Sequence, residues 1–576
     1  MMMRRAAAIA CLGLVLMWGG GAKGGREMVW HVGPAGNHDF MSVHAAAEAL
    51  VQKEEDLANV THLRIVIHDG HLDRPLQLNA RHSLPDGTVT WTGAQAGQRL
   101  TTALPVHGFT RKSSTPDGSS LWSTVVPDHA NAFTDVYWQG QALTRARTPN
   151  LGQFFVWDRP LCPDVRTNAT CAKEARFGFY YAHNDVQEAW RNESNAQFMV
   201  YHGWTASRHH LRIIDPSAQR VLFTNPSDRP IGYWPNVDSE GGGRYFVENI
   251  RSGLDANFEW YFDSTTRELS LLLPETLNLT DGDIWIPQTD NLLFVNGTHN
   301  HDFSGIDFTY TNWVCGPTTV CDKQSASWQR QAAIDLFDVV NVTFSNNEIV
   351  GAGACAVWVH GSSVNITVDR NVLRDLGTGA LRVGDETPED GVPYRVTLQN
   401  NIIHRGGLSF PSGTPILIQK AINVSVVHNE VSYFSYAGIS VGWSWNFEDP
   451  SSTANVTVAY NHVHDLGTGT FRQLGDAMAA VYTLGVLHGT EVHHNLLHDV
   501  YAWYTGGFCL SQDQGSSDIS FHDNVCHGTT GASQTQHYGV NNTWVVGTTS
   551  TSQPASQPAS QPCRSFDICF FYDLHL

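Results

Sequence analysis

The sequence predicts an all-β protein: a right-handed parallel β-helix with an N-terminal capping helix and an inserted antiparallel β domain. Three observations predict it. An asparagine recurs seven times, a short β-branched run precedes each copy, and a long tract ahead of the repeats breaks their rhythm. Five copies between residues 341 and 542 start with a polar residue and reach Asn six positions later. They are Asn341-Val-Thr-Phe-Ser-Asn-Asn347, Asn365-Ile-Thr-Val-Asp-Arg-Asn371, Asn423-Val-Ser-Val-Val-His-Asn429, Asn455-Val-Thr-Val-Ala-Tyr-Asn461 and Asp518-Ile-Ser-Phe-His-Asp-Asn524. Looser copies end at Asn401 and Asn495, and successive asparagines lie 24, 30, 28, 32, 34 and 29 residues apart. Such a period means stacked units, each burying its apolar face against its neighbours. Each copy reads as strand, turn, strand, turn, with no room for a useful helix. Asn suits the turn because it tolerates left-handed backbone angles, and stacked Asn side chains can hydrogen-bond to one another.

Taken in order, the chain opens with Arg4-Arg5, an apolar run from Ala6 to Trp18 and small residues Gly19 to Ala22. This pattern predicts a secretory signal peptide over 1–22. The run is shorter than the ~20 residues of a membrane span, so no span is expected after its removal. Residues 27–105 are expected to hold the cap and first coils. Strands are predicted at Val29–Val32, Leu63–Ile67 and Thr88–Trp91. A helix is predicted over Met41–Asp56, with Val43, Ala46, Ala47 and Leu50 on one face and Asp39 as its cap. Such a helix would close the exposed end of the coils against edge pairing. Residues 106–285 are rich in Trp, Tyr, Pro and Arg, with short alternating runs such as Glu259–Phe262 and Leu269–Leu273, and read as the inserted β domain. The repeats are expected over 286–547. Residues 548–576 form a Ser/Gln/Pro-rich linker and a short tail, so the last coil is expected to lack a cap.

The chain has 576 residues, 41% hydrophobic and 16% charged, and a net charge of −20. That charge argues against nucleic acid or an anionic membrane as partner. Neutral glycans are compatible with it, whereas a very acidic polymer needs Ca²⁺ or local Arg. Beyond the leader there are nine cysteines; the close neighbours Cys162/Cys171 and Cys315/Cys321 suggest local loop disulfides in an oxidising compartment. An odd total leaves at least one thiol unpaired. Ten Asn-x-Ser/Thr sequons occur. Asn59, Asn168, Asn192, Asn278 and Asn296, outside the repeats, are the preferred glycosylation candidates; Asn341, Asn365, Asn423 and Asn455 also suit plain turn-then-strand chemistry.

Unusual residues cluster between 430 and 540. Trp443 and Trp445 lie two apart on one face of an extended segment and could stack on sugar rings, although packing under a loop explains them equally. Asp476 and Asp513 are 37 residues apart, close to one coil. Equivalent positions on adjacent coils stack ~4.8 Å apart. Carboxylates ~5–5.5 Å apart suit a retaining glycosidase and ~6.5–9.5 Å an inverting one. The same residues also suit turn capping, since each has a Gly within two residues. His404, His464, His498 and His527 each follow a ladder Asn by three residues. With no accompanying carboxylate pattern they read as an exterior stack, and no metal or cofactor is expected. His537 recurs one coil past Asp513 and is a site candidate. A lyase would need a Lys or Arg base, and the repeats hold Lys420 alone, with Arg472 near the candidate carboxylates.

Several segments in this order resemble glycoside hydrolase family 141 and, more broadly, the pectin-lyase-like β-helix proteins. They are Thr144-Arg-Ala-Arg-Thr-Pro-Asn150, Tyr201-His-Gly-Trp-Thr-Ala-Ser-Arg-His209, Tyr245-Phe-Val-Glu-Asn249 with Glu259-Trp-Tyr261, Gly377-Thr-Gly-Ala-Leu-Arg-Val-Gly384, Gly442-Trp-Ser-Trp445, Tyr482-Thr-Leu-Gly485, Asp513-Gln-Gly-Ser-Ser517 and Gln536-His-Tyr-Gly539. The family's activities are on plant-type glycans (fucosidase and xylanase). The resemblance implies that Asp476 and Asp513 are the catalytic carboxylates; Ser511 and Gln512 depart from the family's aromatic and Thr. Together these readings predict a secreted glycoside hydrolase acting on polysaccharide. Trp443, Trp445 and Tyr482 would serve as sugar platforms, and His537 would orient a carboxylate or hydroxyl. The alternatives are a non-catalytic glycan-binding or cell-surface β-helix, and a polysaccharide lyase.

Overall fold

The computed structural model describes residues 26–551 apart from 35, 37, 115–117, 194, 234–242, 322, 388–389, 448–451, 472–473, 475–477, 504–505, 537–541 and 545–548. The leader, Arg472, Asp476, His537, Cys563 and Cys569 lie outside the described residues.

Three long parallel sheets wind into a right-handed β-helix. Sheet A begins with Arg26–Val32, Val60–Ile67 and Thr88–Gly93 and ends with Thr543–Trp544. Sheet B runs from Gly70–His71 to Thr549–Thr551, and sheet C from Leu76–Asn79 to Gln534–Gln536. A coil goes from A through the Asn corner to B, then by a variable loop to C, and back to A. It has three strands where the repeat motif showed two. Sheet C escaped the reading because strands such as Leu381–Val383, Ile416–Ile418 and Ile439–Val441 are too short to display alternation. The interior is filled in rows: Val342, Ile366, Val396, Val424 and Val456 stack in register, all buried. Burying each such side chain contributes about 1.5–3 kcal/mol.

The Asn corner carries the seven-fold ladder. Asn347, Asn371, Asn401, Asn429, Asn461, Asn495 and Asn524 are all buried. From Asn347 to Asn495, each amide Nδ2 donates to Oδ1 of the next asparagine, at 3.2, 3.0, 2.9, 3.0, 3.0 and 2.9 Å along the stack. The backbone N–H donates to the same oxygen. The second Nδ2 proton goes to a sheet-A carbonyl of the preceding coil, such as Leu398 O for Asn429. A buried amide is thereby satisfied on every side, which is the condition for burying it at all. The ladder asparagines are not the left-handed residues. The residue before each is, with φ of +52° at Arg370, +56° at His428 and +58° at Tyr460. Asn does occupy left-handed positions at the start of the copies, at Asn341, Asn365, Asn423 and Asn455.

The N-terminal helix α1 spans Val43–Gln52 and buries Val43, Ala46, Ala47, Ala49 and Leu50. Its cap is Ser42, whose hydroxyl accepts from Ala45 N, and not Asp39, whose Oδ2 accepts from His31 N at 2.7 Å. At the other end the coils continue past Asn524. Gln534–Gln536, Thr543–Trp544 and Thr549–Thr551 each extend a sheet in register, so the ladder stops before the coils do.

The chain leaves the helix after the sheet-B strand Gln98–Thr101 and returns at the sheet-C strand Leu293–Asn296. The excursion is an enlarged B-to-C loop. Its neck is the antiparallel pair Leu104–Val106 and Ile284–Ile286. Beyond the neck stand a seven-stranded sheet, including Gln197–Tyr201, Ala206–Asp215 and Arg244–Glu248, and a five-stranded sheet, including Ser119–Val125, Glu259–Asp263 and Glu268–Pro274. The insertion is seated on the coils. Tyr137 OH donates to Gly351 O at 3.1 Å, Arg374 to Gly140 O at 2.9 Å and Arg208 to Ser409 O at 3.1 Å.

Cys162–Cys171 and Cys315–Cys321 are bonded as their spacing suggested. A third disulfide, Cys509–Cys526, joins sheet C to sheet B across the helix interior. Cys355 is the free, buried thiol among the described residues. No helix among the described residues is long and apolar enough to cross a membrane.

Candidate active site

Outward-facing residues of sheet C form one row: Asp335, Trp358, Arg382, Leu417, Ser440, Tyr482 and Ser511 pair in register on successive coils. The insertion packs over the middle of this row, where Met199, Tyr201 and Phe246 meet Leu417, Tyr436 and Tyr482 in one apolar cluster.

At one end of the row, Asp513 follows the strand Phe508–Gln512 and stands at the C-to-A corner. Its carboxylate is fixed twice. Tyr482 OH donates to Oδ2, and Gln514 N donates to Oδ1 at 2.7 Å. Gln324 Nε2 donates to the Tyr482 hydroxyl at 3.2 Å. Burial holds the Tyr482 hydroxyl well above the usual phenol range, with Tyr436 and Asp513 adding to it, so Tyr482 remains a donor. The turn after Asp513 is docked on the Trp segment: a Cβ at Gly515 would lie 2.5 Å from Asn446 O, and its φ is +78°.

Toward the other end, Arg382 is buried over the Trp358 ring at 4.4 Å. It donates to Gln419 Oε1 at 2.8 Å and to Gln329 O at 2.6 Å, and pairs with Asp385 at 3.4 Å. His360 stacks on Trp358 at 3.7 Å and bonds Asp335 at 2.7 Å. Lys323 is paired with Glu386. Because Lys323 and Gln324 are consecutive, their segment crosses sheet C and links Glu386 to Tyr482 and Asp513. Buried polar atoms with no hydrogen-bond partner also collect here, among them Glu386 Oε1, Gln419 Nε2, Ser440 Oγ and both amide atoms of Gln329. Desolvated acceptors and donors left open are suited to a polyhydroxylated ligand.

The candidates from sequence are distributed as follows. Trp443 is 5% exposed and packed in the same cluster as Tyr482, which is 2% exposed. Trp445 stands edge-on to Trp443 at 5.0 Å and is 43% exposed, so Trp445 is the member that presents a ring to solvent. Asp476 and His537 lie outside the described residues; the sheet-C strand that follows Asp476 in sequence is Ala479–Thr483. Thr483 pairs with Gln512, so the residue equivalent to Asp513 is Leu484, eight residues after Asp476. Asp476 precedes its sheet-C strand and Asp513 follows the next one. Leu484 and Asp513 are 29 residues apart, so the 37-residue spacing of Asp476 and Asp513 exceeds one coil. Lys323, Arg382, Asp385 and Glu386 were missed. The signal for Arg382 was a charge within the apolar run Ala380–Val383; Lys323 and Glu386 come from non-repeating segments.

The His stack lies on the outward face of sheet B, where Ser432, His464, His498 and His527 pair in register. Carboxylates do accompany it, contrary to the sequence reading. Asp465 and Asp499 directly follow His464 and His498 at φ of +52° and +53°, and that left-handed turn brings each carboxylate back onto the preceding ring.

The family described as "Right handed beta helix region" matches residues 332–549. Among solved structures, one titled "Glycoside hydrolase" is similar at a TM-score of 0.70 and 16% identity, covering 90% of this chain and 97% of that one. The complex of XylC with xylose is similar at 0.48 and 13%, covering 88% and 70%. The lacto-N-biosidase of Eubacterium ramulus is similar at 0.35 and 10%, covering 90% and 67%. No curated protein matches by sequence.

Proposed function

We propose that this protein is a secreted glycoside hydrolase of the family 141 kind, acting on a complex polysaccharide at the outer face of sheet C, around Asp513. The observation that carries the proposal is Asp513, a carboxylate held by Tyr482 OH and Gln514 N beside the exposed Trp445 turn. A fixed carboxylate with a nearby aromatic ring is the arrangement glycosidic cleavage uses, one group donating or accepting a proton while the sugar stacks. Asp476 is its proposed partner, and Trp443, Tyr482 and His537 are proposed to shape the sugar site. The overall likeness to a glycoside hydrolase structure, insertion included, supports the reading.

The spacing of Asp476 and Asp513, 37 residues where the coil measures 29, favours a second reading: a glycan-binding β-helix without turnover. One experiment separates the two. The secreted protein is incubated with a panel of neutral polysaccharides, and reducing ends are measured. Hydrolysis is expected, with Asp513→Asn slowing it by about 10²-fold or more. If Asp476→Asn leaves the rate intact and Glu386→Gln abolishes it, the second carboxylate is Glu386. Binding without any product supports the second reading, and an unsaturated uronide supports a lyase.

A further inference from the structure

We propose that His462, His464 and His498, on the outer face of sheet B, form a binding site for a transition-metal dication of the zinc or copper class. His462 and His464 lie two apart on the strand His462–Leu466 and so share a face. His498, on the strand Leu496–Val500, is in register with His464 on the next coil. One ring nitrogen from each of the three lies within 4.8 Å of the others. His462 Nε2 and His498 Nε2 are 2.8 Å apart.

The tautomers follow from the neighbours. A carboxylate only accepts, so His498 Nδ1 donates to Asp499 Oδ2 at 2.7 Å, and His464 Nδ1 donates to Asp465 Oδ2 at 2.8 Å. Tyr501 OH donates to the other Asp499 oxygen at 2.9 Å and fixes it. Both rings therefore turn Nε2, with its lone pair, toward the centre. This is the carboxylate–histidine pairing that orients metal-ligating imidazoles and raises their basicity. His464 Nε2 is buried with no hydrogen-bond partner, 3.6 Å from Glu430 Oε1. His462 Nε2 donates to the lone pair of His498 Nε2 at 2.8 Å, and a cation bound by the three rings takes the place of that proton. Glu430, Asp465 and Asp499 also make the surroundings favourable to positive charge. Three imidazoles with a side open to solvent match the ligand type and number of a zinc or copper centre.

A second cluster, His493, His494 and His522, is less well prepared. His493 Nδ1 and His494 Nδ1 face each other at 2.9 Å, and the ring hydrogen-bonded to a carboxylate is that of His522, to Asp523 at 2.9 Å. It supplies the internal comparison for the test.

Untagged full-length protein, stripped with chelator and desalted, is titrated calorimetrically with zinc chloride and with copper sulfate at neutral pH. One tight site is expected, with at least three imidazole nitrogens on copper by electron paramagnetic resonance. His498→Ala and His464→Gln are expected to weaken it by more than 10-fold. Asp499→Asn should weaken it by about 10-fold, since loss of the oriented tautomer typically lowers metal affinity by about 10–100-fold. His493→Ala and His522→Ala are expected to leave it unchanged. Circular dichroism establishes that each variant is folded, and Asp499→Asn carries the test if a His variant is not. Absence of a tight site overturns the proposal, as does a site unmoved by both His464→Gln and Asp499→Asn, or one lost in His493→Ala.

Discussion

The coils and the insertion bury polar groups in opposite ways. In the coils one solution is repeated: six of the seven ladder amides donate in the same way to the next asparagine. In the insertion the solution is unique. Glu248 accepts from Arg145 at 3.0 Å and from Arg208, and Gln197 Oε1 bonds the same two guanidinium groups at 3.0 and 3.1 Å. Burial pushes Arg208 down to about 9 and Arg145 to about 10. A repeated network shares a defect among neighbours, whereas a unique one has no substitute for a missing member.

The largest effect is expected where that contrast is sharpest. Glu248→Ala leaves two buried guanidinium groups without their carboxylate and should destabilise the insertion by about 3–5 kcal/mol. Hydrogen exchange is expected to rise in Gln197–Tyr201 while the ladder coils stay protected; exchange rising equally in both would erase the distinction. Asn429→Ala removes the acceptor of Asn401 N and Asn401 Nδ2. At ~1–3 kcal/mol for each stranded buried donor, a loss of about 3 kcal/mol is expected. Here protection should fall in the coils on both sides, measured by the same exchange experiment. The smallest effect is a pH dependence in the insertion. Glu259 is pushed up to about 7 by burial, against hydrogen bonds from Ala256 N and Asp255 N and the Arg147 charge that pull it down. The folded state then holds a proton that the unfolded chain releases above about 4.5, so stability falls as pH rises from about 4.5 to 7. Melting curves of Glu259→Gln should lose that slope.

The same contrast explains what was legible. The ladder and its flanking strands could be read because one hydrogen-bond geometry imposes one residue type at one place in every coil. The insertion could be recognised by the break in rhythm, but its ion network could not, since Arg145, Gln197, Arg208 and Glu248 meet only through tertiary pairing. On sheet C, Asp513 and Trp445 were visible in the glycine-containing segments Asp513-Gln-Gly515 and Gly442-Trp-Ser-Trp445. Lys323 and Glu386 were not, because loops of unequal length carry them. Asp476 and Asp513 are not equivalent in sequence, because one precedes the sheet-C strand Ala479–Thr483 and the other follows Phe508–Gln512. The Cys509–Cys526 bond was hidden for a related reason: it crosses the interior, where sequence separation gives no hint of facing. The His-Asp dipeptides at 464–465 and 498–499 were in plain view, and the left-handed corner makes their side chains meet.

The neck formed by Leu104–Val106 and Ile284–Ile286 has a modular consequence. Chain enters and leaves the insertion side by side, so a short turn joining Val106 to Ile284 would preserve the coil on either side. The coils could thus be made as a bare solenoid, and a different cap could be grafted onto the same two strands. The sheet-C row would then be uncovered without altering one rung of the ladder.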